Sequence, residues 1–357
     1  MQKGMKAMPA DFLTNIETMH TEALLKTETD FVNNKKAWFA DFASHFQQTC
    51  TGIRKLQDNA TLSEITYFEY TMLRANFINR LYIAEAYVYG DKYYLDKNQR
   101  IVGEYDVSFL FTHFHELWDR LLSERKRYIG KVSAREVTSY MMNVLPDYYS
   151  YLTNIARFAI ADCVDKSPFT DIDKNDVFRV NVGEYMAKTA NIYTEKKDKD
   201  AGILAKSFNE QLKEEYTFDD YSGLDFSERS FTYTGFRYSQ FRNACLNNTS
   251  LQGCVLIGTN FHKADMKNCC LDNCSIYEAD FSYATLKSAS FINAHGRAGL
   301  PNNKEWHHVG FLPVNFRYSD LTGVNFSGAN LSGADFTGAT LTGAVFTDAV
   351  LDGAIFD

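Results

Sequence analysis

The sequence predicts an α+β multidomain chain: a mainly α-helical domain over residues 1–215, then a repeat solenoid over residues 216–357. Three observations carry this reading. Every fifth residue from Tyr221 to Phe291, and again from Phe316 to Phe356, is a large apolar side chain, and 21 of these 24 positions are Phe or Leu. The residue two places earlier is Ala, Ser, Thr, Cys or Val at 21 of the same 24 places. A period of five fits neither the 3.6 of a helix nor the 2 of a strand, so it marks an internal repeat and decides the fold of its region before local propensity does. Residues 10 to about 215 lack that period, and their apolar residues recur in steps of three and four, the spacing of helices.

Taken in order, the spacing of Phe12, Ile16, Met19, Ala23, Leu24, Phe31, Trp38, Phe39, Phe42 and Phe46 predicts helix between Asp11 and Leu56. Thr61 and Glu64 read as a capping box that opens a helix lasting to about Tyr89, with Gly90 as its stop. A small β-hairpin is expected near 93–105, turning at 96–98. Helices are then expected near 107–128, after Ser133 with its capping partner Glu136, and near 147–163, with Pro146 ending or kinking the chain between them. Residues 166–181 read as irregular, 184–193 as a helix, and about 200–215 as a last helix that leads into the first coil and covers its open edge.

Residues 325–356, NFSGANLSGADFTGATLTGAVFTDAVLDGAIF, show the repeat unit most cleanly as A(N/D)LXX with Leu or Phe at the centre. This unit resembles the pentapeptide-repeat family, over residues 219–357 and not over 1–215. The resemblance implies a right-handed quadrilateral β-helix, one pentapeptide per side, with the central residue and the small residue before it turned inward. Residues twenty apart then stack. Phe241, Phe261 and Phe281 fall in one row, Phe316, Phe336 and Phe356 in another, and Ala244, Ala264 and Ala284 in a row of small residues that leaves room for the large ones. Gly or Asn two places after the centre, as at Gly253 and Asn268, suits the corners. The repeat is interrupted by an inserted loop at 295–312 that keeps its phase.

Composition and charge bound the function classes. No apolar run reaches 18 residues, so no membrane span is expected, and the N-terminus lacks the apolar stretch of a secretory signal. Cys254, Cys269 and Cys274 occupy inward small positions, which suits buried, reduced thiols and a cytoplasmic location. Residues 318–357 carry Asp320, Asp335, Asp348, Asp352 and Asp357 with no Lys or Arg. Direct nucleic-acid binding there is not expected, because phosphate contacts need basic groups.

The search for chemistry yields no catalytic residue, no cofactor and no metal ligand set. His113 and His115 in THFHELWD lack the second His four residues on that a zinc helix needs. Cys50 and Cys163 have no base partner in the sequence. The basic run Arg125, Lys126, Arg127 and Lys131 suits the C-terminal turn of a helix. The tyrosine-rich stretches around Tyr67–Tyr89 and Tyr140–Tyr151 suit either the packing of helices or a pocket for a flat ligand or a peptide.

Two surfaces stand out as candidates for recognition. The insert holds Arg297, Lys304, Trp306, His307 and His308, and Trp and Arg are the residue types most common at binding hot spots. Val345, Val350 and Ile355 take outward positions that are polar in most earlier units, and Phe356 is the last central residue. No covering element follows them in the sequence, so a homodimer joined through the terminal coils is expected. The leading expectation is a non-enzymatic protein-interaction scaffold with an unidentified protein partner. Some pentapeptide-repeat proteins act as acidic, rod-shaped mimics of DNA that protect gyrase, so the resemblance also implies a type II topoisomerase modulator. The rival from another class is an enzyme or a small-molecule or peptide binder in the helical domain, with the repeat as a dimerising or targeting appendage.

Overall fold

The computed structural model describes residues 8–96, 99–187, 189–197, 200–209, 216–298 and 312–357. They form two compact units, one running to Ile192 and the other beginning at Tyr193.

The first unit is built on α1 (Ala10–Asp58), a single helix of 49 residues about 73 Å long. Its buried stripe, Phe12, Ile16, Leu24, Phe31, Phe42, Phe46 and Ile53, follows the helical spacing seen in the sequence. Its many threonines are accommodated because Thr14, Thr18, Thr21, Thr27, Thr29, Thr49 and Thr51 each donate their hydroxyl to the carbonyl four residues back. Then follow β1 (Ile65–Met72), α2 (Arg74–Ile78), β2 (Ile83–Tyr89), β3 (Arg100–Asp106), α3 (Thr112–Glu124), α4 (Ala134–Ala161), β4 (Lys174–Glu184) and β5 (Thr189–Lys196). The strands make one five-stranded sheet in the order β3-β2-β1-β4-β5. Pairing is antiparallel for β1 with β2 and for β2 with β3, and parallel for β1 with β4.

The inner face of the sheet rests on α1, with Phe46 stacked on Phe68 at 5.4 Å between ring centroids and Phe42 against Tyr70 at 4.9 Å. The Gln57 side chain fixes where two strands begin. Its amide donates to the Ser63 and Asp173 carbonyls and its oxygen accepts the Asp173 N–H.

This layout corrects several sequence expectations. The helix expected from Thr61 to Tyr89 is two strands joined by α2. The segment ITYFEYTM is almost all β-branched or aromatic, which favours a strand. Both of its faces are covered, so the polar–apolar alternation that marks a half-exposed strand is missing. The hairpin expected near 93–105 is displaced: β3 pairs back onto β2, and Tyr93–Leu95 is a short 3-10 turn. The helix expected at 184–193 is the end of β4 and the start of β5, and the irregular 166–181 segment holds most of β4. The domain is therefore helix-rich, with a central sheet that the sequence reading lacked. The helices expected on either side of Pro146 are one helix, α4, whose Ser133–Glu136 capping box is formed at 2.7–3.2 Å.

In the second unit, α5 (Ala201–Asn209) places Ala205 in the apolar core that begins at Tyr221, with Ala201 and Leu204 beside it. The repeat advances by coils of twenty residues. The bridge Asp220 to Gln240 is followed by Asp225 to Cys245, Ser230 to Ser250 and Gly235 to Val255, which makes four parallel ladders per coil. The two expected rows exist and join into one: ring centroids of Phe241, Phe261, Phe281, Phe316, Phe336 and Phe356 succeed one another at 4.9–5.3 Å. Full burial of one such ring contributes about 1.5–3 kcal/mol.

The small inward position accepts Thr and Cys because a backbone carbonyl waits there. Thr249, Cys254, Thr259 and Cys274 each donate to the carbonyl of the central residue 23 positions earlier, at 2.8–3.0 Å. Corners take the left-handed conformation, for example Asn268 at φ 55° and Gly253 at φ 69°. At Gly253 a side chain would also collide with the stacked Tyr233 ring 2.5 Å away.

The insert begins later than expected. Gly296 and Ala298 still donate to the Asn330 and Ser332 carbonyls, so the coil continues through Ala298. Gly296 holds a central position, where a Cβ would meet Val314 and Ile276.

Candidate functional site

Recognition by a repeat rests on what its outward positions present. Asp or Asn stands before the centre in fewer than half of the units, and there its side-chain oxygen commonly accepts the N–H two residues on. Asp320 does so for Thr322, Asn325 for Ser327, Asn330 for Ser332 and Asp335 for Thr337, at 3.0–3.3 Å. Asp and Asn alternate at this place because either oxygen closes the turn. Asp320 also pairs with Lys287 at 3.2 Å and Asp335 with Arg317 at 3.6 Å. The Asp320 carboxyl is held below its ordinary value by the Thr322 hydroxyl and N–H and by Lys287, against the opposing effect of burial. Asp357 accepts the Gly338 N–H at 2.7 Å. Much of the acidity counted in the sequence is thus turn chemistry, and Asp348 and Asp352 are the acidic side chains of this stretch with neither kind of partner among the described residues.

On the last coil the pattern changes. The ladder partners of Asn325, Asn330 and Asp335 are Val345, Val350 and Ile355. Three turn-closing acceptors are replaced by aliphatic side chains that are 41–51% exposed, and Phe356 beside them is 43% exposed. Among the described residues, the N–H groups of Leu341, Gly343, Phe346, Asp348, Leu351 and Gly353 have no backbone acceptor, whereas their counterparts one coil earlier all do. Val255 is the other aliphatic residue at a bridge position, and it is half-buried. The four candidate contact residues therefore lie together on one coil. Of the candidate loop residues, Arg297 is half-buried at the end of its rung, while Lys304, Trp306, His307 and His308 lie outside the described residues.

The other sequence candidates are occupied structurally. His113 contacts Asp30 at 2.8 Å and Glu116 at 3.1 Å, while His115 contacts the Tyr82 hydroxyl at 3.0 Å and Asp119 at 3.4 Å, so the two rings face different partners. Burial pushes the Cys50 and Cys163 thiols up, the opposite of what a nucleophile requires. The basic run forms the 3-10 turn Arg125–Tyr128, with Arg127 on Glu124 at 3.0 Å. Among the described residues no helix is long and apolar enough to cross a membrane. Sequence reasoning missed Glu69, Tyr93 and Tyr94, which the sheet brings together. The signal that was available is a Glu inside an otherwise aromatic and β-branched run.

Comparison with known proteins supports the repeat. Residues 235–273 and 314–357 match the family model of pentapeptide repeats in eight copies. No curated protein matches the chain. Similar solved structures include a pentapeptide repeat protein from the cyanobacterium Cyanothece (19% identity, covering 43% of this chain and 99% of that one, TM-score 0.24). They also include QnrB1, a plasmid-mediated fluoroquinolone resistance protein (17% identity, 39% and 93% coverage, TM-score 0.21). A third is a pentapeptide repeat protein of the Arabidopsis thaliana thylakoid lumen (28% identity, 37% and 68% coverage, TM-score 0.19). The C-terminal region of this chain, with its twenty-residue coils and its eight matched units, carries pentapeptide repeats.

Proposed function

We propose that the protein is a non-enzymatic interaction scaffold whose repeat winds as a right-handed, four-sided β-helix and pairs with a second copy through its terminal coil. One observation carries the contact surface: Val345, Val350 and Ile355 stand where the preceding coil has Asn325, Asn330 and Asp335. Giving up three turn hydrogen bonds to expose three aliphatic side chains is unfavourable for a free surface and favourable for a covered one. Size-exclusion chromatography with light scattering tests this. A dimer at micromolar concentration that dissociates in Val350→Asp is expected, and a wild-type monomer under the same conditions refutes it.

A type II topoisomerase is the second reading for the partner. What favours it is the last coil, where Asp348, Asp352 and Asp357 stand without a Lys or Arg. What limits it is that Asp320 and Asp335 are committed to their turns. A supercoiling assay decides: protection of gyrase from an inhibitor, lost when Asp348 and Asp352 become Asn, supports this partner, and no effect at tens of micromolar removes it.

A further inference from the structure

β3 is a weakly anchored strand. It lies at the edge of the order β3-β2-β1-β4-β5. Only Tyr105 of its seven residues is buried, whereas seven of the eight residues of β1 are. Its pairing with β2 is irregular between Ala86 and Tyr87, and register sets Glu104 directly opposite Glu85, a like-charged pair that weakens an antiparallel ladder.

What holds β3 on the inner face of the sheet is α1. Ala84, Ala86 and Gly103 share that face with Tyr105, and their small size lets the helix come close. A Cβ at Gly103 would lie 3.0 Å from the Thr49 hydroxyl and 3.6 Å from the His45 ring. Two side chains of α1 then reach β3. Asp41 accepts from the Tyr105 hydroxyl at 2.9 Å. His45 places Nε2 3.0 Å from the Glu104 carbonyl and Nδ1 3.2 Å from the Tyr70 hydroxyl. Its ring packs 5.0 Å from Tyr105 and 5.7 Å from Tyr70.

These partners define the state of the ring. A carbonyl can only accept, so Nε2 carries a proton. The fully buried Tyr70 hydroxyl then donates to the lone pair of Nδ1. The ring is a neutral imidazole with both nitrogens in use. A second proton, on Nδ1, would turn that hydroxyl away and leave a cation half-buried beneath the sheet.

We propose that His45 is a proton-operated latch on β3: the neutral ring fastens the edge strand to α1, and protonation releases it. Opening lets water reach the ring, and an imidazolium gains more from that water than an imidazole does. Burial holds His45 below the ordinary histidine value, against the Glu104 carbonyl and the Asp41 carboxylate, which favour the charged form. Tyr70 and Tyr105, the titratable groups that β1 and β3 bring against the ring, are raised by burial and stay neutral. The Glu104 and Asp106 side chains are exposed. A histidine lowered on folding contributes stability that is complete above its ordinary value of about 6.5 and is lost as pH falls toward the folded value. Glu69 and Glu28 are raised by burial and act with the opposite sign, so the effect is read on β3 and not on global unfolding. The inference concerns the first unit alone and stands or falls independently of the scaffold reading.

The test is hydrogen exchange by mass spectrometry on the full chain, corrected for the intrinsic effect of pH on amide exchange. Between about pH 7.5 and about pH 5, protection of β3 is expected to fall about tenfold relative to that of β1. His45→Gln keeps a donor for the Glu104 carbonyl and cannot be charged, so its β3 protection is expected to stay level over that range. Tyr70→Phe removes the donor that favours the neutral ring, so its loosening is expected to begin at higher pH. That variant decides if His45→Gln fails to fold by circular dichroism. β3 protection that does not change with pH in the wild type, or that falls equally in His45→Gln, overturns the proposal. A Tyr70→Phe midpoint unchanged from the wild type does the same.

Discussion

Phe281 and Phe68 are both fully buried aromatic residues, yet they were legible to very different degrees. Phe281 sits between Phe261 and Phe316 at 5.0 and 5.1 Å, one coil away on each side. Its environment follows from a rule that the sequence repeats two dozen times. Phe68 packs on Phe46, whose helix lies outside its own segment, and is covered on its strand by β2 and β4, the latter arriving more than a hundred residues later. In the repeat, position in a five-residue unit assigns each side chain its partners. In the helix–sheet unit, distant segments assign them. The difference is one of contact range, and it divides what the sequence discloses from what it withholds.

The sharpest way to break this comparison is at the cores. Phe281→Ala is expected to cost about 3–5 kcal/mol. Because a coil touches only its neighbours, hydrogen exchange should show amide protection lost in the coils around 261–336 and retained in β1. Uniform loss across the chain would mean that the repeat is not a stack of local units.

Gly253→Ala follows in size. It places a Cβ at φ 69° and against the Tyr233 ring, for an expected loss of about 1–2 kcal/mol. Gly353→Ala has the same φ and open space around it, so it should lose only the backbone part, about 1 kcal/mol. Equal losses in chemical denaturation would remove the stacking explanation of the corner.

Asp335→Ala is expected to cost about 1 kcal/mol, and Asp335→Asn close to nothing, since the amide oxygen can still close the turn onto Thr337. A large loss in the Asn variant would show that charge, not turn geometry, fixes aspartate there.

The finest effect is a slope against pH. Burial raises both Glu69 and Glu28, the first against hydrogen bonds from Asn181, Tyr93 and Tyr94, the second against Tyr151 and Lys35. An acid raised on folding contributes stability that is complete below the ordinary glutamate range and is lost as pH climbs through the folded value. The first unit should therefore weaken as pH rises from that range toward neutrality, and Glu69→Gln should flatten part of the slope. An unchanged slope in the variant would place the titration elsewhere.

These contrasts also explain which parts of the reading survived. The Phe row, the inward Cys and Thr and the corner residues were visible because each is a local, repeated choice. The outward aliphatic residues Val345, Val350 and Ile355 were visible as a break in that pattern, but not the hydrogen bonds they forgo. β1 was hidden because both faces of ITYFEYTM are buried, which erases alternation. The cluster around Glu69 was hidden more deeply, since its residues come from β1, β2, β4 and a turn whose register only the folded sheet defines.

A crystal structure of the full chain tests the central claim most directly. The account predicts that the rings of Phe241, Phe261, Phe281, Phe316, Phe336 and Phe356 follow one another at close to 5 Å inside a coil of twenty residues. Electron density that sets Phe261 apart from Phe241 and Phe281, or leaves these rings in solvent, would contradict it.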